Sequence, residues 1–491
     1  MKRVAIVGAG ISGLTAAFHL ERARRQGAEL EYALFERDAR PGGVMRTDRV
    51  GGCLVEAGPD SFLTEKPWAL TLCRDLGIDD QLIGSNDARR KTYIVSRGRL
   101  VTIPDGLQFM VPTRILPILT TRLFSLGSKL HMAREWFSKP RPDGADESVA
   151  SFVERHYGRE MVERMADPLL AGVYGGEASR LSVRAVLPRF LEMEKKHGSL
   201  SRAMLRARKH AERRQGAPRP LFSSLKDGMQ QLVDVLLTRI EPRVLRLNTA
   251  LQGLARQGER WQVTPAGGPA EEFDAVIVAT PAYGAAELLR PAAPELAAQL
   301  AGIRYSSSVT VALGYEAAKL SEAERRVLAE GFGFLVPRAE GRRMLACTFV
   351  HNKFPHRAPE GWRLLRVFLG GANVDDGEGA SVLQLKDEEI LRTAAEELRA
   401  ILGLGAEAAF ARVYRWPRAM AQYDVGHLER VAEIERLRGR LPALALAGNA
   451  YGGIGVPDCI RTGADAVTSV TQALFPGRSS AATVAANTGA S

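Results

Sequence analysis

The stretch VAIVGAGISG, Val4 to Gly13, constrains the fold more than any other part of this 491-residue chain. A short apolar run leads directly into Gly8-Ala9-Gly10-Ile11-Ser12-Gly13, and ISGLTAAFHLERARRQG then reads as a helix whose charged residues come late. EYALFERD, Glu31 to Asp38, reads as a second strand. Strand, glycine turn, helix and strand make a βαβ unit, the opening of a doubly wound parallel sheet. Glycines at these positions let the backbone approach a pyrophosphate at a helix N-terminus, where unpaired N–H groups and the helix dipole favour an anion. Glu36 follows Gly13 by 23 residues, about where a carboxylate takes ribose hydroxyls. A dinucleotide cofactor is therefore expected at Gly8, Gly10, Ile11, Ser12, Gly13 and Glu36.

The length exceeds one ordinary core and fits about two or three domains. A hydrophobic content of 45% places most of the chain in the folded globular class and excludes general disorder. Cys53, Cys73, Cys347 and Cys459 form no CxxC pair and no metal-ligand spacing, so a reducing, cytosolic setting is the simpler expectation and no metal site is expected. MKRVAIVGAG has no apolar signal core with a cleavage site, and no later window approaches the apolar length that spans a bilayer. The net charge of +11 is unevenly placed: residues 109–221 hold 21 Lys and Arg against 12 Asp and Glu.

Further along, Trp68 to Leu76 reads as a helix and KTYIVSRGRLVTIP as a hairpin leading away from the first sheet. Residues 109–221 are mostly helical by pattern, with breaks at Pro117, Pro140 to Gly144 and Gly198. LFSSLKDGMQQLVDVLLTRI reads as a loop and an amphipathic helix, VLRLNTALQGLARQGERWQVTP as strands joined by polar turns, and DAVIVATP as a buried strand stopping at a proline. Short strands such as SSVTVALGY and RLLRVFLGG fill residues 302–370, and 383–402 is a helix with acidic residues early. LPALALAGN is a last strand, followed by the glycine-rich AGNAYGGIGVPDCI and a helix from about Arg461 to Leu474. The Ser/Ala/Thr-rich tail after Pro476 is expected to be disordered.

The residues after Glu36 bear on which dinucleotide is bound. ERDARPGGVMRTDRVGGCLVEAGPD adds Arg40, Gly42, Gly43, Arg46 and Thr47, then Glu56 and Gly58. NAD domains have no general need for a second glycine pair, whereas FAD must be followed past its pyrophosphate to the isoalloxazine ring. This extended pattern resembles the amine oxidase and desaturase superfamily of flavoproteins. The resemblance implies FAD contacts from Arg37, Arg40, Gly42, Gly43, Val44, Gly58, Pro59 and Asp60, and from Trp416. It also implies that the last strand and the AGNAYGGIGVPDCI turn lay backbone against the flavin at Gly448, Ile454, Gly455 and Val456. Thr280 matches the superfamily's strand end near the pyrophosphate. Val244 matches the position that meets adenine and reads equally well as a core valine.

ERMADPLLAGVYGGEASRLSVRAVLPRF (Glu163 to Phe190), LKDGMQQLVDVL, GFGFLVP (Gly331 to Pro337) and AGNAYGGIGVPDCI together bring the likeness closer. Over residues 1–475 the chain resembles the oxygen-dependent protoporphyrinogen oxidases, including the bacterial relatives that act on coproporphyrinogen III. That resemblance implies a six-electron oxidation of protoporphyrinogen IX to protoporphyrin IX in haem biosynthesis, with O2 reoxidising FAD and yielding H2O2. Coproporphyrinogen III is the alternative substrate, and a flavin amine oxidase the alternative enzyme. The flavin carries the hydride chemistry, so no catalytic side-chain set is expected. Gly172, Phe332, Gly333, Leu335 and Phe368 match the family's substrate-pocket positions; each also reads as ordinary core packing. Eukaryotic members place an arginine before the hairpin to pair a propionate. Lys91 stands there in this chain, a point charge and not a fork, within ARRK, which reads also as a solvated basic turn.

The fold class expected is α/β, with a Rossmann-like FAD-binding domain (1–86, 222–299 and 413–476), a mixed-sheet substrate domain (87–108 and 300–412) and an inserted helical, membrane-associating domain (109–221) before the tail 477–491. In residues 109–137 apolar runs alternate with Arg114, Arg122, Lys129 and Arg134, which suits either an anionic membrane surface or a solvated helical face. Family likeness favours peripheral attachment to the inner face of the cell membrane, in the cytoplasm. The partners expected are a porphyrinogen, O2, that membrane surface and a second copy of the chain. No motif supports nucleic acid. A flavin-holding or porphyrin-carrying protein without turnover is a further reading, from a different class.

Overall fold

The computed structural model describes residues 1–142, 144–212, 219–370 and 382–476. Lys2–Val7 lies at the centre of a five-stranded parallel sheet, in the order Leu245–Arg246, Leu30–Phe35, Lys2–Val7, Ala275–Val278, Leu444–Leu446. Its central strands are apolar throughout because both faces are covered. Val4, Ile6 and Ile277 face the helices Ile11–Arg25, Gln230–Arg239 and Val456–Leu474. Ala5, Val7, Val276 and Val278 face the helix Ala282–Leu289 and a three-stranded antiparallel sheet that contributes Leu254, Trp261 and Phe273.

A second sheet of seven strands runs Phe410–Ala421, Tyr305–Glu316, Trp362–Gly370, Met344–Phe349, Gly333–Leu335, Thr92–Ser96, Arg99–Thr102. It is mixed: Gly333–Leu335 pairs with Thr92–Ser96 in parallel and its other pairs are antiparallel. Alternation along each strand splits its faces. Val309, Val311, Leu365 and Val367 pack on the helix Asp387–Leu402. Ala312, Leu364 and Tyr414 turn the other way, onto Cys53, Val55 and Ala57.

Between the hairpin and Leu221 the helices Leu126–Glu135, Val149–Tyr157, Asp167–Tyr174, Pro188–His197 and Leu200–Glu212 share a separate core around Phe152, Tyr157, Met161 and Phe190. Inside it Glu135, His156 and Glu194 are buried. Among the described residues no helix is long and apolar enough to cross a membrane. All four cysteines are free and buried.

Three local expectations change. The last helix begins at Val456 and not near Arg461. Pro457 sits in its first turn, where no N–H is needed, and Asp458 Oδ2 accepts the Gly455 N–H at 3.2 Å, so a run that looks like a breaker is a helix start. Pro117 likewise lies inside the first turn of Ile115–Thr120 and does not break it. Phe222–Leu225, expected as a loop, is a strand between Phe62–Leu63 and Leu82–Gly84, its serines paired through the backbone and not set apart by hydropathy. The tail 477–491 lies outside the described residues.

Candidate active site

The carboxyl ends of the parallel strands are where an α/β sheet receives a ligand. Gly10 caps the helix Ile11–Arg25 with no side-chain hydrogen bond, and a Cβ built on it meets nothing within 4 Å. The helix therefore offers first-turn N–H groups to open space. Glu36 stands beside this turn with its carboxylate fixed by the Ala9 N–H at 2.7 Å and the Asp38 N–H at 3.0 Å. Val244 ends a short turn at the same edge of the sheet, half-buried against its core, while Arg37 is exposed beside Asp38.

The loop after Glu36 packs back against this turn. The Gly42 N–H bonds Ala9 O at 2.7 Å, and a Cβ on Gly43 would lie 3.5 Å from Gly10 Cα. Arg40 folds this loop by donating to the carbonyls of Pro41, Met45 and Gly43; burial holds its pKa below the usual guanidinium value. A Cβ on Gly58 would lie 2.9 Å from the Val44 carbonyl carbon and nearer still to its oxygen. Val44, next to Gly43, is an apolar side chain left 40% exposed. Thr280 Cγ2 lies 3.3 Å from where a Gly8 Cβ would be, and Thr280 O lies 3.8 Å from where one on Gly448 would be. An uncapped helix end, a carboxylate at the strand terminus and a file of glycines from Gly10 through Gly43 to Gly58 fit a long dinucleotide such as FAD.

The opposite wall is the glycine-rich turn. Tyr423 Oη donates to Asn449 O at 2.8 Å and accepts the Gly453 N–H at 2.8 Å. Gly453 has φ +129°, a conformation that excludes a side chain, and Asp458 lies directly beneath it. Lys66 Nζ donates to Asp458 Oδ2 at 2.5 Å. The turn is thus held from both sides, with Ile454 and Gly455 half-buried and Val456 at the head of the final helix.

Facing these loops is one cross-strand row of the second sheet: Leu335, Ala346, Phe368, Thr310 and Tyr414. Thr310 Oγ1 donates to Ala57 O at 3.0 Å and Trp416 Nε1 to the same oxygen at 2.8 Å, so this face looks onto the Gly58 turn. Pro59 is half-buried there, and Asp60 is paired with Lys353 at 2.8 Å, its carboxyl held below the usual range by Lys353 and Arg366 against the opposing effect of burial. On the helical side a Cβ on Gly172 would stand 3.5 Å from Leu335 Cδ2, and Tyr174 O accepts Gln422 Nε2 at 2.8 Å.

Other expected positions serve the backbone or the surface. Gly333, at φ +135°, approaches the Cys347 carbonyl so closely that strand pairing alone requires glycine. Phe332 is buried, its N–H bonded to Lys91 O at 2.7 Å. Lys91 Nζ is bonded to Glu330 Oε2 at 2.6 Å, with both side chains more than half exposed, and this hydrogen bond raises the lysine pKa. Arg366, Thr310, Lys353, Lys66 and Tyr423 were missed by sequence reasoning. Arg366 alone left a signal there, a charge at an inward position of the apolar strand Trp362–Gly370.

A family described as flavin containing amine oxidoreductase matches residues 11–471. The chain is 33% identical over 480 residues to a coproporphyrinogen III oxidase of Bacillus subtilis (strain 168), covering 96% of this chain and 99% of that protein. It is 33% identical over 505 residues to one of the same name from Propionibacterium freudenreichii subsp. freudenreichii, covering 96% and 92%. A crystal structure of a protein from Exiguobacterium sp. 255-15 superposes with a TM-score of 0.83 at 29% identity, over 96% of this chain and 98% of that chain.

Proposed function

Since the chain belongs to the flavin-containing amine oxidoreductases, with FAD as its cofactor, we propose that it oxidises a porphyrinogen to the porphyrin: three two-electron oxidations, three O2 consumed, three H2O2 released. Bound FAD supplies the two-electron chemistry and passes the electrons to O2. The protein's share is to bind and orient. In this reading Gly8, Gly10 and Gly13 admit the pyrophosphate, Glu36 takes the ribose and Val244 the adenine. The Gly42–Gly43 loop, Gly58, Pro59, Trp416 and the Gly448 to Val456 turn enclose the ring.

The observation that carries the substrate reading is the set Leu335, Ala346 and Phe368, the end of the cross-strand row that lies beyond the residues covering Thr310 and Tyr414. A broad, largely apolar macrocycle needs such a wall, with small residues such as Gly172 above it and few cations. Of the two porphyrinogens, the names of the curated relatives favour coproporphyrinogen III over protoporphyrinogen IX. Lys91 would pair a propionate at the rim by exchanging Glu330 for it.

The three-part domain division given by the sequence accords with this assignment except at 412/413, where the strand Phe410–Ala421 belongs wholly to the second sheet and moves the boundary past Ala421; the helical part rests on a membrane surface at the cytoplasmic side. Leu116, Leu119, Leu126, Leu130 and Phe137, exposed by 57–80%, support that contact. Steady-state porphyrin fluorescence with each porphyrinogen in turn is the test. The reading expects turnover, with the higher kcat/KM for coproporphyrinogen III; no porphyrin from either substrate refutes it.

A further inference from the structure

The carbonyl oxygen of Ala57 accepts three donors: Trp416 Nε1 at 2.8 Å, Thr310 Oγ1 at 3.0 Å and Arg366 Nη2 at 3.3 Å. A carbonyl has two lone pairs, so a third donor on it is unusual. The third here is a cation, and it also donates to Gly58 O. The donors come from three adjacent strands, Phe410–Ala421, Tyr305–Glu316 and Trp362–Gly370, and meet at the turn that leads into Pro59 and Asp60.

Arg366 is 7% exposed, its Nε has no hydrogen-bond partner, and its guanidinium lies 4.8 Å from the centre of the Phe368 ring. The neighbouring charges are already matched. Glu56 pairs with Arg357 at 2.9 Å, with both side chains buried, and Asp60 pairs with Lys353 at 2.8 Å. Arg366 makes no ion pair with a carboxylate among the described residues, which leaves three cations against two carboxylates around residues 56–60. Burial lowers the Arg366 pKa, opposed chiefly by Asp60 and then Glu56 at longer range. An incompletely matched cation in a buried site is costly to keep, so its placement in an otherwise apolar strand calls for a use.

We propose that Arg366 positions the Ala57 to Asp60 turn against the flavin and supplies positive potential that favours the reduced cofactor. Reduction of FAD takes up two electrons and one proton and leaves one negative charge on the ring. A fixed cation in a low-dielectric surrounding stabilises that product over the neutral oxidised ring. Trp416 and Thr310 hold the same carbonyl without charge, so they share the positioning and not the potential. The inference rests on the assignment of the Gly58 turn to the flavin made above.

The test is the midpoint potential of the purified holoenzyme, measured by dye-referenced anaerobic reduction with no porphyrinogen present. Failure of the substrate reading would therefore appear in turnover and not in this measurement. Arg366→Met should weaken binding of reduced relative to oxidised cofactor about tenfold, which lowers the potential by about 30 mV for a two-electron couple. Arg366→Lys should recover most of the shift. Asp60→Asn, which removes the carboxylate opposing this cation, should move the potential upward. A wild-type potential in Arg366→Met overturns the proposal, as does a shift of the same sign in Arg366→Met and Asp60→Asn, since a disturbed fold does not distinguish the sign of the charge removed. Should Arg366→Met lose its FAD, Asp60→Asn decides: an unchanged or lowered potential overturns the proposal.

Discussion

Gly10 and Gly13 stand three residues apart in one turn, and the structure assigns them different work. Gly10 has φ −69° and ψ 179°, an extended conformation open to alanine, and its Cβ direction is empty to 4 Å. Gly10→Ala should therefore leave the apoprotein folded and, by restricting the unfolded chain, stabilise it by about 0.4–1 kcal/mol. The same methyl occupies the space through which a pyrophosphate reaches the helix N-terminus. Loss of one or two charge-assisted hydrogen bonds there costs roughly 2–4 kcal/mol, or about 30- to 1,000-fold in FAD affinity. Gly13→Ala is another case: its Cβ would fall 3.0 Å from the Gly8 carbonyl carbon, closer still to the oxygen, and 3.4 Å from Ala279 Cβ. Backbone cannot yield as a side-chain tip does, so overpacking should cost about 1–3 kcal/mol of stability before FAD is considered. Thermal unfolding of FAD-stripped protein and titration with FAD by flavin fluorescence separate the two effects. Wild-type FAD affinity in Gly10→Ala, or an apoprotein more damaged by Gly10→Ala than by Gly13→Ala, would refute the reasoning.

Lys91→Met should raise KM for coproporphyrinogen III about 5-fold or more with kcat nearly unchanged, because a rim contact is equal in ground and transition state. Glu330→Gln, which frees the lysine from its 2.6 Å partner, should lower KM; wild-type kinetics in both variants would reduce Lys91 to a solvated turn. In the helical core, burial depresses the His156 pKa, but the carboxylates of Glu135, 3.6 Å from Nδ1, and of Glu194, 3.2 Å from Nε2, outweigh it and leave the value above 6.5. Its stabilising charge is then fully present below pH 6.5 and lost as pH rises through the folded value. The difference in Tm between wild type and His156→Gln should shrink as pH rises above 6.5, and a difference that grows contradicts this pairing. On anionic vesicles the protein should sediment at low ionic strength and be released by high salt or detergent. Equal recovery with neutral and anionic vesicles would count against a surface-bound helical segment.

The cofactor end was legible because its determinants are local. Strand, glycine turn, helix and Glu36 lie within one short run, and apolar strands covered on both faces identify themselves by composition alone. The glycine-rich turn was legible as a turn, but the start of the following helix was not. Pro457 and the glycines before it read as breakers until Asp458 is seen bonding Gly455. The substrate wall was legible only in part. Leu335 and Phe368 were reached by family likeness, whereas Ala346 joins them through strand register that no local pattern encodes. Arg366 shows the limit: its charge is visible in RLLRVFLGG, but its partner Ala57 is 309 residues away. The basic excess of residues 109–221 was visible, and the carboxylates and histidine buried beneath it were not.

The central claim is that a porphyrinogen delivers its electrons to FAD in this protein, and anaerobic mixing of the holoenzyme with coproporphyrinogen III tests it most directly. The account predicts loss of the oxidised flavin absorbance as porphyrin absorbance appears, with three FAD reduced for each porphyrin formed, and recovery of the yellow colour with release of H2O2 when O2 is admitted. A flavin spectrum unchanged by excess coproporphyrinogen III and by excess protoporphyrinogen IX would contradict it.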